Sequence, residues 1–456
     1  TFKSDIGFNT INLTIKDTEI SGDLDARSNA HGARNVIIDN FTSGDQIGIE
    51  GLNIDITNSS IGSYAVFEAE ITHLNNVTIA TDLNIVSASN HAYLNDVTIG
   101  RELVGVVNEL HLEEVDTGHG SGTLRVNKLW ASNTTMSQDG SGTYYIYVSD
   151  LDNTNNASSS DVYIFNSTLI FSANTNSNNH FIFDIDTTGE IRIIDSEINA
   201  TNFETSKIEL EGSDIWITNS TLWSGTKYTG NGCYNQCTSD DLYSDLNIYG
   251  NDLEINNSLL HSRTEAPSLY TSTSYWMKTY NYVEISVDNL EIIDSSLTTY
   301  SYMNRIDWGS NYRSVYSGID IEATSFESDN STIMIEVVEP SDHNSGYIYP
   351  DFNIVIIGDN AKFDVKDSYV GLEDWTDNYV GEDHIYIKET NYTLEISDSE
   401  FRTHIYGCYH GVSTGCNSTY YNSDVSINNL TLSSGNFYVD QTSDVSIIDS
   451  TFKDNI

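Results

Sequence analysis

A short sentence of residues recurs along this chain, and its parity constrains the fold more than anything else in it. DIWITNSTL (214–222), NLEIIDSSL (289–297), TLEISDSEF (393–401) and DVSIIDSTF (444–452) are four copies. Aligned on the repeated Asp or Asn, sixteen copies centre on Asp17, Asn40, Asn58, Asn76, Asp96, Asn133, Asn166, Asp195, Asn219, Asn257, Asp294, Asn330, Asp367, Asp398, Asn429 and Asp449. Position −4 is apolar in all but one copy (Thr72), position −2 in all but one (Ser328), and position +3 in all but one (Ser43). Position +1 is Ser or Thr in twelve copies and Phe41, Val77, Val97 or Leu430 in the rest. In an unbroken strand −4, −2 and 0 share one face, while +1 and +3 lie on the other. The apolar face therefore changes parity at the Asp/Asn. A chain does this by placing one residue in a left-handed or bulged conformation, which Asp and Asn tolerate best after glycine. The repeated residue is read as a corner between two short strands, with +1 pointing inward.

Another alternating segment precedes each corner, such as LNIYG before NDLEINNSLL and FNIVIIG before AKFDVKDSYV. Three short strands per repeat, with many repeats near 20 residues, is the rhythm of stacked parallel coils, none of which buries its apolar side chains alone. The L-x-I-x-[DN]-S-x-[LI] unit resembles the repeats of right-handed parallel β-helix proteins, a group that includes pectate-lyase-like enzymes and many repeat-built cell-surface proteins. The expected fold is all-β: one continuous single-stranded right-handed parallel β-helix, a solenoid of about 16 or more coils over residues 1–456. Tandem antiparallel β-sandwiches are the rival, disfavoured by the scarcity of hairpin signals, with Asn-Gly occurring once at 231–232.

Asp17, Asn40, Asn58, Asn76 and Asp96 follow one another at intervals of 23, 18, 18 and 20 residues, whereas from Asn219 onward the interval mostly widens to 31–38. This divides the solenoid into mostly short coils (1–222), coils with long insertions (223–424) and terminal coils (425–456). The insertions fall at one phase, after +3, at roughly 223–245, 261–282, 298–318, 334–351, 371–384 and 402–424. They are expected to form one lateral wall. Its candidate binding aromatics are Tyr270, Tyr275, Trp276, Tyr302, Trp308, Tyr312, Trp375 and Tyr409, since exposed aromatics suit protein contacts and sugar faces.

Nineteen Lys+Arg against 67 Asp+Glu give a formal charge of −48. That excludes the basic footprint nucleic acid requires, and no apolar run spans a bilayer. Regular Ile/Leu/Val alternation argues against disorder, the other home of acidic, polar chains. The four cysteines form two local pairs, Cys233/Cys237 and Cys408/Cys416, read as disulfides of an oxidising compartment; zinc with His410 fits no standard spacing. Asn-x-Ser/Thr sequons begin at Asn12, Asn40, Asn58, Asn76, Asn133, Asn156, Asn166, Asn199, Asn219, Asn256, Asn330, Asn391, Asn417 and Asn429. Together these give an extracellular or cell-surface glycoprotein whose signal peptide has been removed.

No catalytic set stands out. TGHGSG (117–122) contains the Gly-His-Gly seen in polygalacturonase-type hydrolases, but Asp240-Asp241 comes after His119 and no Arg-Ile-Lys follows. Arg263, Arg305 and Arg313, with Asp307 near, are the basic candidates for a lyase, and nothing in their spacing marks them out. No cofactor is required. The corner Asp copies are expected to face water, and Asp294, Asp367 and Asp398 are weak Ca²⁺ candidates. The chain starts TFKSDI and stops TFKDNI, which led us to expect head-to-tail stacking into a filament. The functional expectation is a non-enzymatic structural subunit of a cell-surface layer, sheath or filament that associates with itself and carries N-linked glycans. Alternatives are a polysaccharide lyase or glycoside hydrolase with its site among the insertions, and an adhesin for surface or matrix polysaccharide.

Overall fold

A computed structural model describes residues 5–8, 12–26, 33–118, 122–139, 144–149, 160–172, 180–202, 205–227, 242–266, 276–303, 312–338, 346–356, 362–373, 382–387, 393–402, 404–407, 424–434, 437–438 and 444–452. Among these residues the protein is all-β, without a helix, and its strands pair in parallel. Such an arrangement fits a β-helix-like fold. The chain divides into two compact units, Thr1–Ala200 and Thr201–Ile456.

In each unit the alignment of copies becomes a physical register. The −4 residues of unit 1 are neighbours across strands, in the order Leu13, Val36, Ile54, Thr72, Ala92, Leu110 and Leu129. In unit 2 the same column runs Ile215, Leu253, Leu290, Phe326, Phe363, Leu394, Val425 and Val445. Most of these side chains, and those at −2 and +3, are buried. Each strand thus contributes to the same apolar column as its neighbour, and burying that column is the main favourable term.

All sixteen Asp/Asn corners have left-handed backbone, with φ from 43° to 53°. Their side chains are exposed, while +1 is buried in almost every copy. A seventeenth corner was missed. Glu114, with φ 54°, carries Leu110, Leu112 and Val115 at −4, −2 and +1, and splits the interval between Asp96 and Asn133.

The preference for Ser at +1 follows from accounting for the corner's amides. The corner N–H donates to the next copy's −1 carbonyl, as from Asn257 to Ile293 (3.0 Å), and the +2 N–H to the previous copy's +1 carbonyl, as from Ser296 to Ser258 (2.9 Å). Only the inward +1 N–H lacks a backbone acceptor. The next copy's serine supplies one: Ser258 N–H donates to Ser295 Oγ (3.0 Å), Ser295 to Ser331 (3.1 Å), Ser331 to Ser368 (3.2 Å) and Ser368 to Ser399 (3.1 Å). Each hydroxyl in turn donates to the carbonyl two residues back, as Ser331 does to Asp329 (2.8 Å). A buried N–H without an acceptor is costly. Ser295→Ala is therefore expected to destabilise the protein by about 1–3 kcal/mol, the penalty of an orphaned buried donor. A urea titration checks this, with the half-exposed Ser286→Ala as the near-neutral comparison.

Two expectations need correction. In several copies the segments before the corner are not two short strands but one long one, as in Trp276–Ile293 and Tyr312–Asp329, while other copies keep two, as in Thr205–Glu211 and Asp214–Thr218. Pairing merely skips a residue at Asn251, Asp288 and Thr324, where the backbone bends without leaving the sheet. Nor do the insertions start as loops after +3. Thr221–Lys227, Leu259–Ala266, Ser296–Met303 and Thr332–Val338 continue as paired strands, with Trp223, His261, Thr298 and Met334 in one column. Their Ser and Thr residues alternate inward, and most of them bond there, so a polar composition conceals a strand period.

Candidate functional surfaces

The outward positions of the long strands form two surfaces, one on each unit. In unit 1 the −3 column carries a row of rings. His73 stacks on Tyr93 (4.8 Å between centroids), Tyr93 on His111 (4.7 Å) and His111 on Trp130 (6.1 Å), while Tyr163 lies tilted against Trp130 (5.2 Å). Parallel in-register pairing places equivalent side chains one strand spacing apart, which is the distance rings require to stack. Beside this row, Glu109 bonds His91 Nδ1 (2.9 Å) and His111 Nε2 (2.6 Å) and pairs with Lys128 Nζ (3.3 Å). Partial burial works against the Glu109 carboxylate, but His111 and Lys128 outweigh it and hold its pKa at about 2. Trp130 remains 40% exposed, and His73 at the start of the row is exposed as well.

The unit 2 surface spans Thr205–Glu211, Leu242–Asn256, Trp276–Ile293 and Tyr312–Asp329. Tyr243, Tyr280 and Tyr316 stack at 4.8 and 4.9 Å with nearly parallel rings. Next to them Asp245 pairs with Lys207 and Tyr282, and Glu284 pairs with Asp320. Carboxylates side by side on a parallel ladder repel one another. Lys207 is committed to an ion pair with Glu209. Burial, only partly offset by Lys207 and reinforced by Glu284 and Glu209, pushes Asp245 up to about 6. Asp320 is also raised, by burial and then by Asp351 and Glu284, and burial pushes Tyr282 to about 12. One strand over and two residues along puts the Asp245 and Glu284 backbones about 8 Å apart.

This predicts a pH effect of definite sign. Asp245 keeps its proton to higher pH in the folded state than an unperturbed aspartate, whose pKa is 3.8. Stability is therefore full below about pH 4, falls as the unfolded chain ionises first, and stays lower above about pH 6. Asp245→Asn should flatten that decline and stabilise the protein near neutrality by on the order of 2 kcal/mol. Thermal melts between pH 4 and 8 measure both.

A third cluster lies on Thr221–Lys227, Leu259–Ala266 and Ser296–Met303. Arg263 sits over the Tyr300 ring (4.6 Å) and near Trp223 (5.9 Å) and is bonded to Glu265. His261 bonds Thr298 (2.6 Å), and burial, then the Arg263 charge, lower its pKa to about 4. Arg263 is thus a strand residue with ring and carboxylate partners, not a residue of an inserted loop.

The predicted site residues are dispersed. Asp294 accepts a hydrogen bond from Asn330 (2.7 Å), Asp398 from Asn429 (2.8 Å), and Asp367 pairs with Lys366 (3.4 Å), all on the exposed corner edge. Among the described residues no group of three or more His, Cys, Asp or Glu is placed to hold a metal. Sequon residues Asn12, Asn40, Asn58, Asn76, Asn133, Asn166, Asn219, Asn330 and Asn429 are exposed, and Asn199 and Asn256 half-buried. Tyr302 is half-buried, and Trp276 and Tyr312 are strand partners. Tyr270, Tyr275, Trp308, Trp375, Tyr409, Asn156, Asn391, Asn417, His119, Arg305, Asp307, His410 and Cys233, Cys237, Cys408 and Cys416 lie outside the described residues. The ring row and Asp245 were not anticipated. The −3 column carried the signal for the first; the second depends on neighbours from three strands. No protein-family model, curated protein or solved structure matches the chain.

Proposed function

We propose that the strands of each unit wind as coils of a right-handed β-helix, and that the chain is an extracellular structural protein, a subunit of a surface layer, sheath or filament. The observation that carries this reading is the corner. Seventeen copies share one left-handed conformation with an exposed side chain and, in nearly all of them, a buried neighbour, whatever the residue. A conformation shared by every copy and indifferent to Asp, Asn or Glu supports a stacking device rather than a reagent at any single copy. The exposed rows of rings supply lateral contacts, and sequons on an exposed edge are open to glycosylation. Negative-stain microscopy of purified protein over a range of salt and Ca²⁺ tests the assembly, and discrete monomers under every condition overturn it.

One observation favours a second reading, an enzyme acting on polysaccharide. Asp245, protonated near pH 6, lies diagonally across from Glu284 on a tyrosine-lined face, an arrangement suited to a general acid with a carboxylate partner. Depolymerisation of a polysaccharide panel by the native protein, lost in Asp245→Asn, would establish it. Because the same substitution is expected to stabilise the fold, lost activity could not be ascribed to unfolding.

A further inference from the structure

The core of unit 2 changes character over a few neighbouring strands. Apart from the serines at the corners, most of its other inward positions are Ile, Leu, Val and Phe. Here Ser244 and Asn281 are register partners on the long strands, and Thr226, Thr264 and Ser301 form a column on the strands after the corners. All five are at most 1% exposed.

These residues bond across the interior. Asn281 Nδ2 donates to the Tyr300 carbonyl (2.9 Å) and to Ser301 Oγ (3.1 Å), and Ser301 Oγ meets Thr264 Oγ1 (3.2 Å). Ser244 Oγ meets Ser262 Oγ at 2.9 Å. Three oxygens take no part. Asn281 Oδ1, Thr226 Oγ1 and Thr279 Oγ1 are fully enclosed and have no hydrogen-bond partner in the protein. Asn281 is 0%, Thr226 1% and Thr279 2% exposed.

Native cores seldom leave enclosed polar atoms unpaired, and Asn281 Oδ1 and Thr279 Oγ1, two residues apart on the inward face of one strand, indicate a bound guest. The lining identifies its chemistry. It consists of neutral hydroxyls, a carboxamide and backbone carbonyls. A divalent cation calls for carboxylates and an anion for N–H donors or positive charge. A water molecule needs two to four neutral donors and acceptors, which hydroxyls and an amide oxygen provide.

We propose that this region binds ordered water, held by Asn281 Oδ1 and the Thr279 hydroxyl, which completes a hydrogen-bonded network between the long strands and the strands after the corners. The inference does not depend on the structural or enzymatic reading of the outer surface.

The test uses the full chain. Thr279→Val keeps the side-chain shape and deletes the hydroxyl. If water bonds Thr279, the variant leaves that water short of a partner, and the unfolding equilibrium constant should rise about fivefold to thirtyfold. If the hydroxyl is unpaired, the variant should be equal to the native protein or more stable, which overturns the proposal. A high-resolution crystal structure gives an independent readout. Density within hydrogen-bond distance of Asn281 Oδ1 supports bound water; an unpaired Oδ1 rejects it. A denaturation midpoint that shifts between matched NaCl, KCl and CsCl solutions in native protein but not in Asn281→Leu would assign the guest as a monovalent cation instead.

Discussion

Gly105→Val should prevent unit 1 from folding. Gly105 lies in the Leu103–Thr117 strand with φ 138°, where L-residues are strained, and it pairs with Ile85 on one side and Leu124 on the other. A Cβ there would run into the carbonyl oxygen of Ile85. That oxygen belongs to a paired strand and cannot withdraw without breaking the ladder on both sides. Backbone strain and a steric clash with main chain combine, so the expected loss exceeds about 4 kcal/mol, in the exceptional range for point mutants. Circular dichroism and limited proteolysis read it directly. Gly318→Ala is the informative comparison, because the added carbon there mainly meets the Tyr282 ring, and a side chain can swing aside. A Gly105→Val protein with native melting would show that the left-handed glycine is incidental.

Phe363→Ala carries the second large effect. Phe363 is 0% exposed and stacks on Phe326 at 5.2 Å with 12° between the rings. Its other register partner is Leu394. Removing the ring deletes its transfer free energy and leaves a cavity between strands whose spacing is set by backbone hydrogen bonds, so collapse is limited. A loss of about 3–5 kcal/mol is expected. Phe363→Leu, which refills most of the volume, should lose less than half of that. Guanidinium titrations separate the two, and equal losses would show that the stack, rather than the volume, is what matters.

The fold was legible because its determinants are local. Apolar residues at −4, −2 and +3 reveal the parity change at the corner, and they aligned copies that prove to be register partners. Glu114 is hidden because glutamate is not among the residues that accept left-handed backbone most readily, Asp and Asn. Its apolar frame of Leu110, Leu112 and Val115 was intact. The strands after the corners escaped for a different reason. SLTTYSYM alternates small hydroxyl residues with larger ones, and an inward Ser or Thr resembles a loop residue until its bonding partner is known. Asp245 was illegible in principle, since its shift arises from burial first and then from the balance of Lys207 against Glu284 and Glu209 on flanking strands. Outward positions answer to no packing rule, so candidate sites are harder to read than folds.

The serine chain at the corners has a direction. From Ser258 through Ser295, Ser331 and Ser368 to Ser399, the N–H always belongs to the earlier copy and the accepting hydroxyl to the later one. Peeling away a later copy exposes an inward amide that nothing else satisfies. Peeling away an earlier copy frees only one side of a hydroxyl that still donates to its own carbonyl two residues back. The two ends of such a stack are therefore energetically unlike, even where their sequences match. During synthesis each new copy completes the one before it, so zippering proceeds in the order of translation, and mechanical unravelling should be harder to begin from one end than from the other.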